Sequence, residues 1–288
     1  MKKTSDNEKK FIKSPLNYTG GKYKLLKQII PLFPTEINTF IDLFCGGCNV
    51  GLNVPSNRTI LNDSMAQLQE IYAYWAENGY DNVKKGVLER IDKYQLSKTN
   101  EEGYYKLRED YNNNPNPADL FVLIAYSFNN QIRFNSKGQY NMPFGKNRSD
   151  FNQRMDKNLK EFIEELSNGK YFITCSDFNS IKVDKLEEGD FIYADPPYLI
   201  TTASYNENGG WGENEEKKLF DLLDQCTENN IKFALSNVLE NKGKENNLLK
   251  EWAKKYNVHH LNTTYGNCSY HAHDKSKNTT DEVLITNY

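Results

Sequence analysis

The sequence predicts an α/β protein: a doubly wound sheet with helices on both faces, interrupted by an inserted and mainly helical block. Three observations lead there. Strand-like and helix-like segments alternate over residues 11–77 and again over 167–288. Between them, residues 78–166 carry helical patterns with no competing strand-like run. The apolar run 190–194 then stops at Asp195-Pro196-Pro197-Tyr198, because two prolines can neither continue a helix nor donate to a strand ladder.

The elements follow in order. Residues 1–10 are polar and charged and read as a disordered lead-in. A short strand-like start at Phe11 and Ile12 leads to Asn17-Tyr18-Thr19-Gly20-Gly21-Lys22 and a helix over 23–30, stopped by Pro31 and Pro34. Residues 39–44 form the first core strand. A glycine-rich turn leads to a second strand over 58–61, ending at Asn62-Asp63, and an amphipathic helix over 65–75 packs back. Within the block, helices are expected over 82–93, 101–111, 118–128 and 151–166, with residues 112–117 as a breaker. Residues 133–145 read as a polar hairpin centred on Lys137-Gly138. Strands resume over 171–175, 191–194, 231–235, 257–261 and 283–286, with helices over 213–229 and 243–255.

Charge locates a partner. The chain has 288 residues, enough for a large core, and a net charge of −3, which excludes a global polyanion-binding character. Locally the sign reverses. Between residues 126 and 160, Arg133, Lys137, Lys146, Arg148, Arg154, Lys157 and Lys160 face only Asp150 and Asp156. A basic segment on an acidic body implies a confined polyanion contact. Five cysteines without an apolar leader imply reduced thiols and a cytoplasmic protein, and no stretch reaches membrane-spanning length. Cys45 and Cys48 form one Cys-x-x-Cys pair with no second pair to complete a zinc site. His259, His260, Cys268, His271 and His273 are explained by a strand and a polar loop, so no metal is expected.

The chemistry gathers at strand ends, where open α/β sheets hold their ligands. Asp195 offers a carboxylate, Pro196 a carbonyl and Tyr198 an aromatic face. That set suits a flat base with an exocyclic amino group. The turn Phe44-Cys45-Gly46-Gly47-Cys48-Asn49-Val50-Gly51 is not a dinucleotide fingerprint, because Cys48 stands where its middle glycine belongs. Asp42 and Phe44 better suit a cationic, aromatic-bearing ligand such as S-adenosylmethionine than a diphosphate. Asp63 is placed either to accept ribose hydroxyls or to cap the following helix. Lys22, after two glycines, is placed to pair with a ligand carboxylate.

Together these residues resemble the DNA adenine methylase (Dam) family, the D12 class of N6-adenine DNA methyltransferases. The resemblance covers about residues 14–288. It rests on Tyr18-Thr19-Gly20-Gly21-Lys22, Phe44-Cys45-Gly46-Gly47, Asp63, the stretch from Arg133 through Gly145, Asp195-Pro196-Pro197-Tyr198 and Ser236-Asn237, in the family's order. It implies a Rossmann-like, S-adenosylmethionine-dependent methyltransferase sheet over 11–77 and 167–288, with a target-recognition domain over 78–166. Tyr18, Lys22, Asp42, Phe44, Gly46, Asp63 and Asp195 would then form the cofactor site, with Asp177 and Phe178 flanking the cofactor's adenine. Asp195, Pro196 and Tyr198 would be catalytic. The hairpin over 133–145 is similar to the family's DNA-recognition hairpin, and Asn17, Phe128, Asn129, Gln131, Arg133, Asn135, Lys137, Pro143, Lys146 and Arg148 would meet double-stranded DNA. Arginine can read guanine bidentately, which singles out Arg133. Two departures bear on the target sequence, GATC in some relatives: Asn17 stands where a base-reading lysine can occur, and Gln131 occupies an often apolar position.

The reaction implied is methyl transfer from S-adenosylmethionine to N6 of an adenine flipped from duplex DNA, with no metal and no nucleophilic cysteine. Residues 199–212, including Tyr205, Gly209, Gly210, Trp211 and Gly212, read either as a lid or as a surface loop. N4-cytosine methylation, and a non-catalytic DNA-binding module on a methyltransferase scaffold, remain the alternatives. A cognate restriction endonuclease would be a genetic partner rather than a bound one.

Overall fold

The computed structural model describes residues 10–201, 210–262 and 280–288. In chain order these hold α1 (Leu26–Ile29), β1 (Thr39–Asp42), β2 (Arg58–Asn62), α2 (Ala66–Lys93), α3 (Glu101–Asn113), α4 (Pro117–Tyr126) and α5 (Gln153–Leu166). There follow β3 (Tyr171–Thr174), β4 (Phe191–Ala194), α6 (Glu213–Glu228), β5 (Lys232–Asn241), β6 (Lys244–Glu245), α7 (Asn247–Trp252), β7 (Asn257–Leu261) and β8 (Thr280–Thr286). One sheet runs β3-β2-β1-β4-β5-β8-β7, with β6 paired to β5. The strands from β3 to β5 in that order are parallel, and β8 is antiparallel to both β5 and β7.

Period-two alternation buries the sheet on both sides. Phe40, Phe191, Tyr193 and Leu284 join a core with α1, whereas Ile41, Ile192, Ala194, Val283 and Ile285 join another with α6 and α7. Chain order reverses between β1 and β4. Their carboxyl ends therefore diverge around a crevice, at the position where doubly wound sheets take ligands.

The expected strands over 191–194 and 257–261 form with those bounds, and most other boundaries move by a residue or two. Three departures have physical causes. Phe11 and Ile12 form no strand. Instead the Asn53 side-chain amide exchanges two 2.8 Å hydrogen bonds with the backbone of Ile12, supplying the pairing a neighbouring strand would. β5 continues to Asn241 and turns through Lys242 and Gly243, at φ 52° and 78°, into β6. Two successive positive-φ residues make a tight hairpin. The helix expected over 243–255 consequently begins later, as α7, where the Asn246 side chain accepts from Leu249 N at 3.0 Å. Finally, the segment 22–32 alternates between 3-10 and α geometry rather than forming one helix.

The two helices expected over 65–75 and 82–93 are the halves of α2, separated at Gly79 (φ 68°, ψ 167°). A side chain there would strain the backbone; glycine does not. The first half buries Leu68, Ile71, Tyr72 and Trp75, and α3, α4 and α5 close over it. Trp75 lies 5.1 Å from Phe121 and 5.4 Å from Phe162, centroid to centroid. The same core takes in Leu61 of β2 and Cys48 of the glycine turn, so the helices and the sheet share their apolar interior. Residues 133–145 form a hairpin held by bridges between Ser127 and Phe144 and between Phe134 and Tyr140. Its tip turns at Gly138 (φ 73°), and Asn135 Oδ1 accepts from Lys137 N and Gln139 N at 3.0 Å.

Because that interior is continuous, Trp75→Ala is expected to cost about 3–5 kcal/mol. Urea denaturation should still show one transition in far-ultraviolet circular dichroism; two separated transitions would mean the helices fold on their own.

Candidate active site

The crevice is a cleft of about 730 Å³, within the range of small-molecule sites. Its floor comes from strand ends: Asp42 from β1, Asp63 after β2, Asp195 after β4 and Glu282 from β8. Lys22 enters from the segment before α1. Its ammonium, on a residue only 4% exposed, lies 2.9 Å from Asp195 Oδ2 and 3.7 Å from Glu282 Oε1, and donates to Gly20 O at 2.7 Å. Tyr198 Oη donates toward Asp195 Oδ1 at 3.0 Å, with Glu282 Oε1 at 3.4 Å. The Lys22 ammonium also sits 5.0 Å from the Tyr198 ring centroid. Pro196 and Pro197 line the cleft and hold this shelf rigid after β4.

Each acid on the floor has a distinct task. Asp42 is buried and accepts from Gly51 N at 2.9 Å, which anchors the far end of the glycine turn. Burial, reinforced by the charge of Asp195, pushes its carboxyl well above the ordinary value. Asp63 accepts from Gly46 N at 2.9 Å and from Met65 N at 3.0 Å, so it ties the turn to β2 and holds the residue that precedes α2; no side chain caps that helix. Burial raises Asp63, Asp195 and Glu282 too; Lys22 pulls the last two back down.

The glycine turn is shaped for close approach. Gly46 has φ 45°, and a Cβ there would lie 2.8 Å from the Tyr18 ring. Tyr72 Oη donates to Gly46 O at 2.6 Å from below. Cys48 takes φ 55° with its side chain fully buried. Burial pushes both the Cys45 and Cys48 thiols up, which suits packing rather than nucleophilic chemistry. One wall is aromatic: Phe44, Phe178 and Trp211 have ring centroids 5.4–5.6 Å apart. Asp177 Oδ1 accepts from Asn179 N at 2.8 Å and starts the turn that carries Phe178.

All nine residues assigned to the cofactor (Tyr18, Lys22, Asp42, Phe44, Gly46, Asp63, Asp177, Phe178 and Asp195) line this one cleft. Of the residues assigned to DNA, Arg133 and Asn135 border it. Asn17, Phe128, Asn129, Lys137, Pro143, Lys146 and Arg148 are exposed outside it, and Gln131 is half-buried. Asn17 Nδ2 donates to Asn129 O at 2.8 Å, and Pro143 O accepts from Phe128 N at 2.9 Å. The Arg148 guanidinium lies 5.6 Å from the exposed Phe128 ring. Arg133 uses two of its five N–H donors on Asn141, at 2.8 and 3.0 Å.

Two residues required structure. Glu282 has no motif around it; only the β5–β8 pairing brings it to the floor. Glu216 is buried and accepts from Trp211 Nε1 at 2.8 Å, Asn237 Nδ2 at 3.0 Å and Asn246 Nδ2 at 3.1 Å. Trp211 is therefore held in the wall by Glu216, and Gly212 is the residue that precedes α6. Tyr205 and Gly209 lie outside the described residues, as do Cys268, His271 and His273. His260 bonds Asp281 at 2.8 Å and His259 bonds Thr286 at 3.4 Å. Among the described residues no group of three or more His, Cys, Asp or Glu is placed to hold a metal, and no helix is long and apolar enough to cross a membrane.

Doubly wound topology, a glycine turn after β1 and an acidic Pro-Pro-Tyr shelf after β4 define an α/β protein with its ligand cleft at the strands' carboxyl ends. Residues 18–267 match the model of the D12 class N6 adenine-specific DNA methyltransferases, and the chain belongs to that family. It is 48% identical to the type II methyltransferase M.FokI of Planomicrobium okeanokoites over 282 residues, covering 96% of this chain and 43% of that protein. Modification methylase StsI of Streptococcus sanguinis is also 48% identical, with 97% and 43% covered. The DNA adenine methylase of Escherichia coli K12 is 26% identical over 260 residues, 85% of each chain. The chain thus spans less than half the length of the first two relatives.

The raised carboxyl of Asp42 fixes a sign. The folded state keeps a proton there that the unfolded state releases, so its contribution to stability is lost as pH rises through the folded value. Asp42→Asn cannot ionise. Its melting temperature relative to the parent protein should therefore climb as pH rises above the ordinary carboxylate range, about pH 4. A pH-independent difference, by calorimetry, would contradict the direction.

Proposed function

We propose that the chain transfers a methyl group from S-adenosylmethionine to N6 of an adenine turned out of duplex DNA. The observation that carries this reading is the placement of Asp195, Tyr198, the glycine turn and Arg133 around one cleft. The donor set fits the cofactor. Asp195 and Glu282 outnumber Lys22 on the floor, which favours a cationic ligand, and Phe44, Phe178 and Trp211 suit an adenine ring. When bound, the cofactor supplies an electrophilic methyl on a sulfonium. Tyr18, Lys22, Asp63, Asp177 and Phe178 would hold it.

Turning a base out of the stack costs a few kcal/mol. Contacts from residues 78–166, read as the target-recognition domain beside a catalytic domain of 11–77 and 167–288, would offset that cost. The adenine amino group is weakly nucleophilic because its lone pair conjugates with the ring. Hydrogen bonds from that group to the Asp195 carboxylate and the Pro196 carbonyl would direct the lone pair toward the methyl. In the structure Asp195 Oδ1 accepts from Tyr198 and Oδ2 pairs with Lys22. Asp195 orients the group and needs no strong basicity, since the proton can leave after transfer. Positioning then dominates the rate. Tyr198 would stack on the base.

M.FokI and StsI are named as type II and modification methylases. On that basis the chain would protect DNA from a restriction endonuclease, acting in the bacterial cytoplasm. Sequencing DNA from an expressing cell for methylated positions tests both base and target.

Asp195→Ala should abolish methyl incorporation while DNA affinity largely survives, with a lowered melting temperature because Lys22 loses a counter-charge; near-normal turnover would remove Asp195 from the chemistry. Arg133→Ala should relax discrimination at one base pair by about 1–3 kcal/mol. Weakening spread evenly over all sequences would make it a phosphate anchor instead.

A further inference from the structure

Tyr198 has one hydroxyl proton and two carboxylate oxygens within reach, Asp195 Oδ1 at 3.0 Å and Glu282 Oε1 at 3.4 Å. Lys22 is shared in the same unequal way, 2.9 Å from Asp195 and 3.7 Å from Glu282. Glu282 is 3% exposed, and β8 pairs it with Val238 in β5 and Leu261 in β7. A carboxylate buried that deeply needs donors, and both donors now favour Asp195.

We propose that Glu282 is a positioning residue: it takes over the Tyr198 hydroxyl when Asp195 turns its Oδ1 to the amino group of the target base. This rests on the function proposed above. The exchange breaks one O–H···O contact and forms another without moving a proton between groups. A hydroxyl rotates to suit its acceptor, so the exchange needs only small side-chain shifts. It would free Asp195 while keeping the Tyr198 ring in place. Lys22 lies between both carboxylates and lowers the cost of ionising each.

The test separates turnover from binding. Methyl incorporation would be measured on genomic DNA from cells lacking the protein, with S-adenosylmethionine affinity followed by calorimetry. Glu282→Gln keeps an acceptor oxygen and Glu282→Leu removes it. The leucine variant should lose about a hundredfold in kcat, as misplaced reacting groups do, with a much smaller loss of cofactor affinity, about tenfold at most for one removed charge, and KM for DNA changed by less than about threefold. The glutamine variant should stay within about fivefold of the parent kcat, since a neutral acceptor replaces a charged one. Normal turnover in Glu282→Leu would overturn the proposal. So would equal losses in both variants, or a fall in cofactor affinity matching the fall in kcat. If Glu282→Leu does not fold, Tyr198→Phe supplies the second arm: without the hydroxyl, adding Glu282→Gln should cost nothing more, and additive losses would refute the exchange. A parent protein that binds no S-adenosylmethionine and methylates no DNA would instead strike the proposed function itself.

Discussion

A buried ammonium organises this molecule. Lys22 is almost fully enclosed, and an enclosed charge without a counter-charge costs several kcal/mol. Asp195 and Glu282 supply that counter-charge from β4's end and from β8, so the segment before α1 must dock on the sheet. Docking is secured by side chains. Ser14 N donates to Asn49 Oδ1 at 3.0 Å, Asn53 pairs with Ile12, and the Tyr18 ring covers Gly46. Two acids face one lysine, so the floor carries an excess of acidic groups.

Neutral polar groups hold the rest of the site still. Asn62 Nδ2 donates to Leu43 O at 3.0 Å and Ser176 O at 3.1 Å, while its Oδ1 accepts from Thr174 and Ser176. One buried amide thus ties the ends of β1, β2 and β3 together. Glu216 does the equivalent for the aromatic wall, and the Tyr193 and Ser236 hydroxyls meet at 2.8 Å beneath the shelf. Fully paired groups of this kind fix geometry because losing one partner strands the other.

Much of this was legible in the residues. Apolar runs ending at Asp42, Asn62-Asp63 and Asp195 announced three parallel strands with functional groups at their carboxyl ends, and the structure gathers those groups in one cleft. Glu282 was hidden because its neighbours on the floor belong to other strands, and antiparallel register cannot be read from an isolated apolar stretch. The Lys242-Gly243 hairpin was hidden by a helix-like composition, although successive positive-φ positions outweigh propensity there. Trp211 looked mobile because three glycines surround it; only its bond to Glu216 and its aromatic neighbours show it pinned.

The sheet order also has a bearing on synthesis. β8 sits between β5 and β7 and brings Glu282 to a lysine translated long before it. A nascent chain lacking β8 leaves β5 and β7 with open hydrogen-bonding edges and Lys22 short of one counter-ion. The strand must therefore be synthesised and paired before the floor of the cleft is complete.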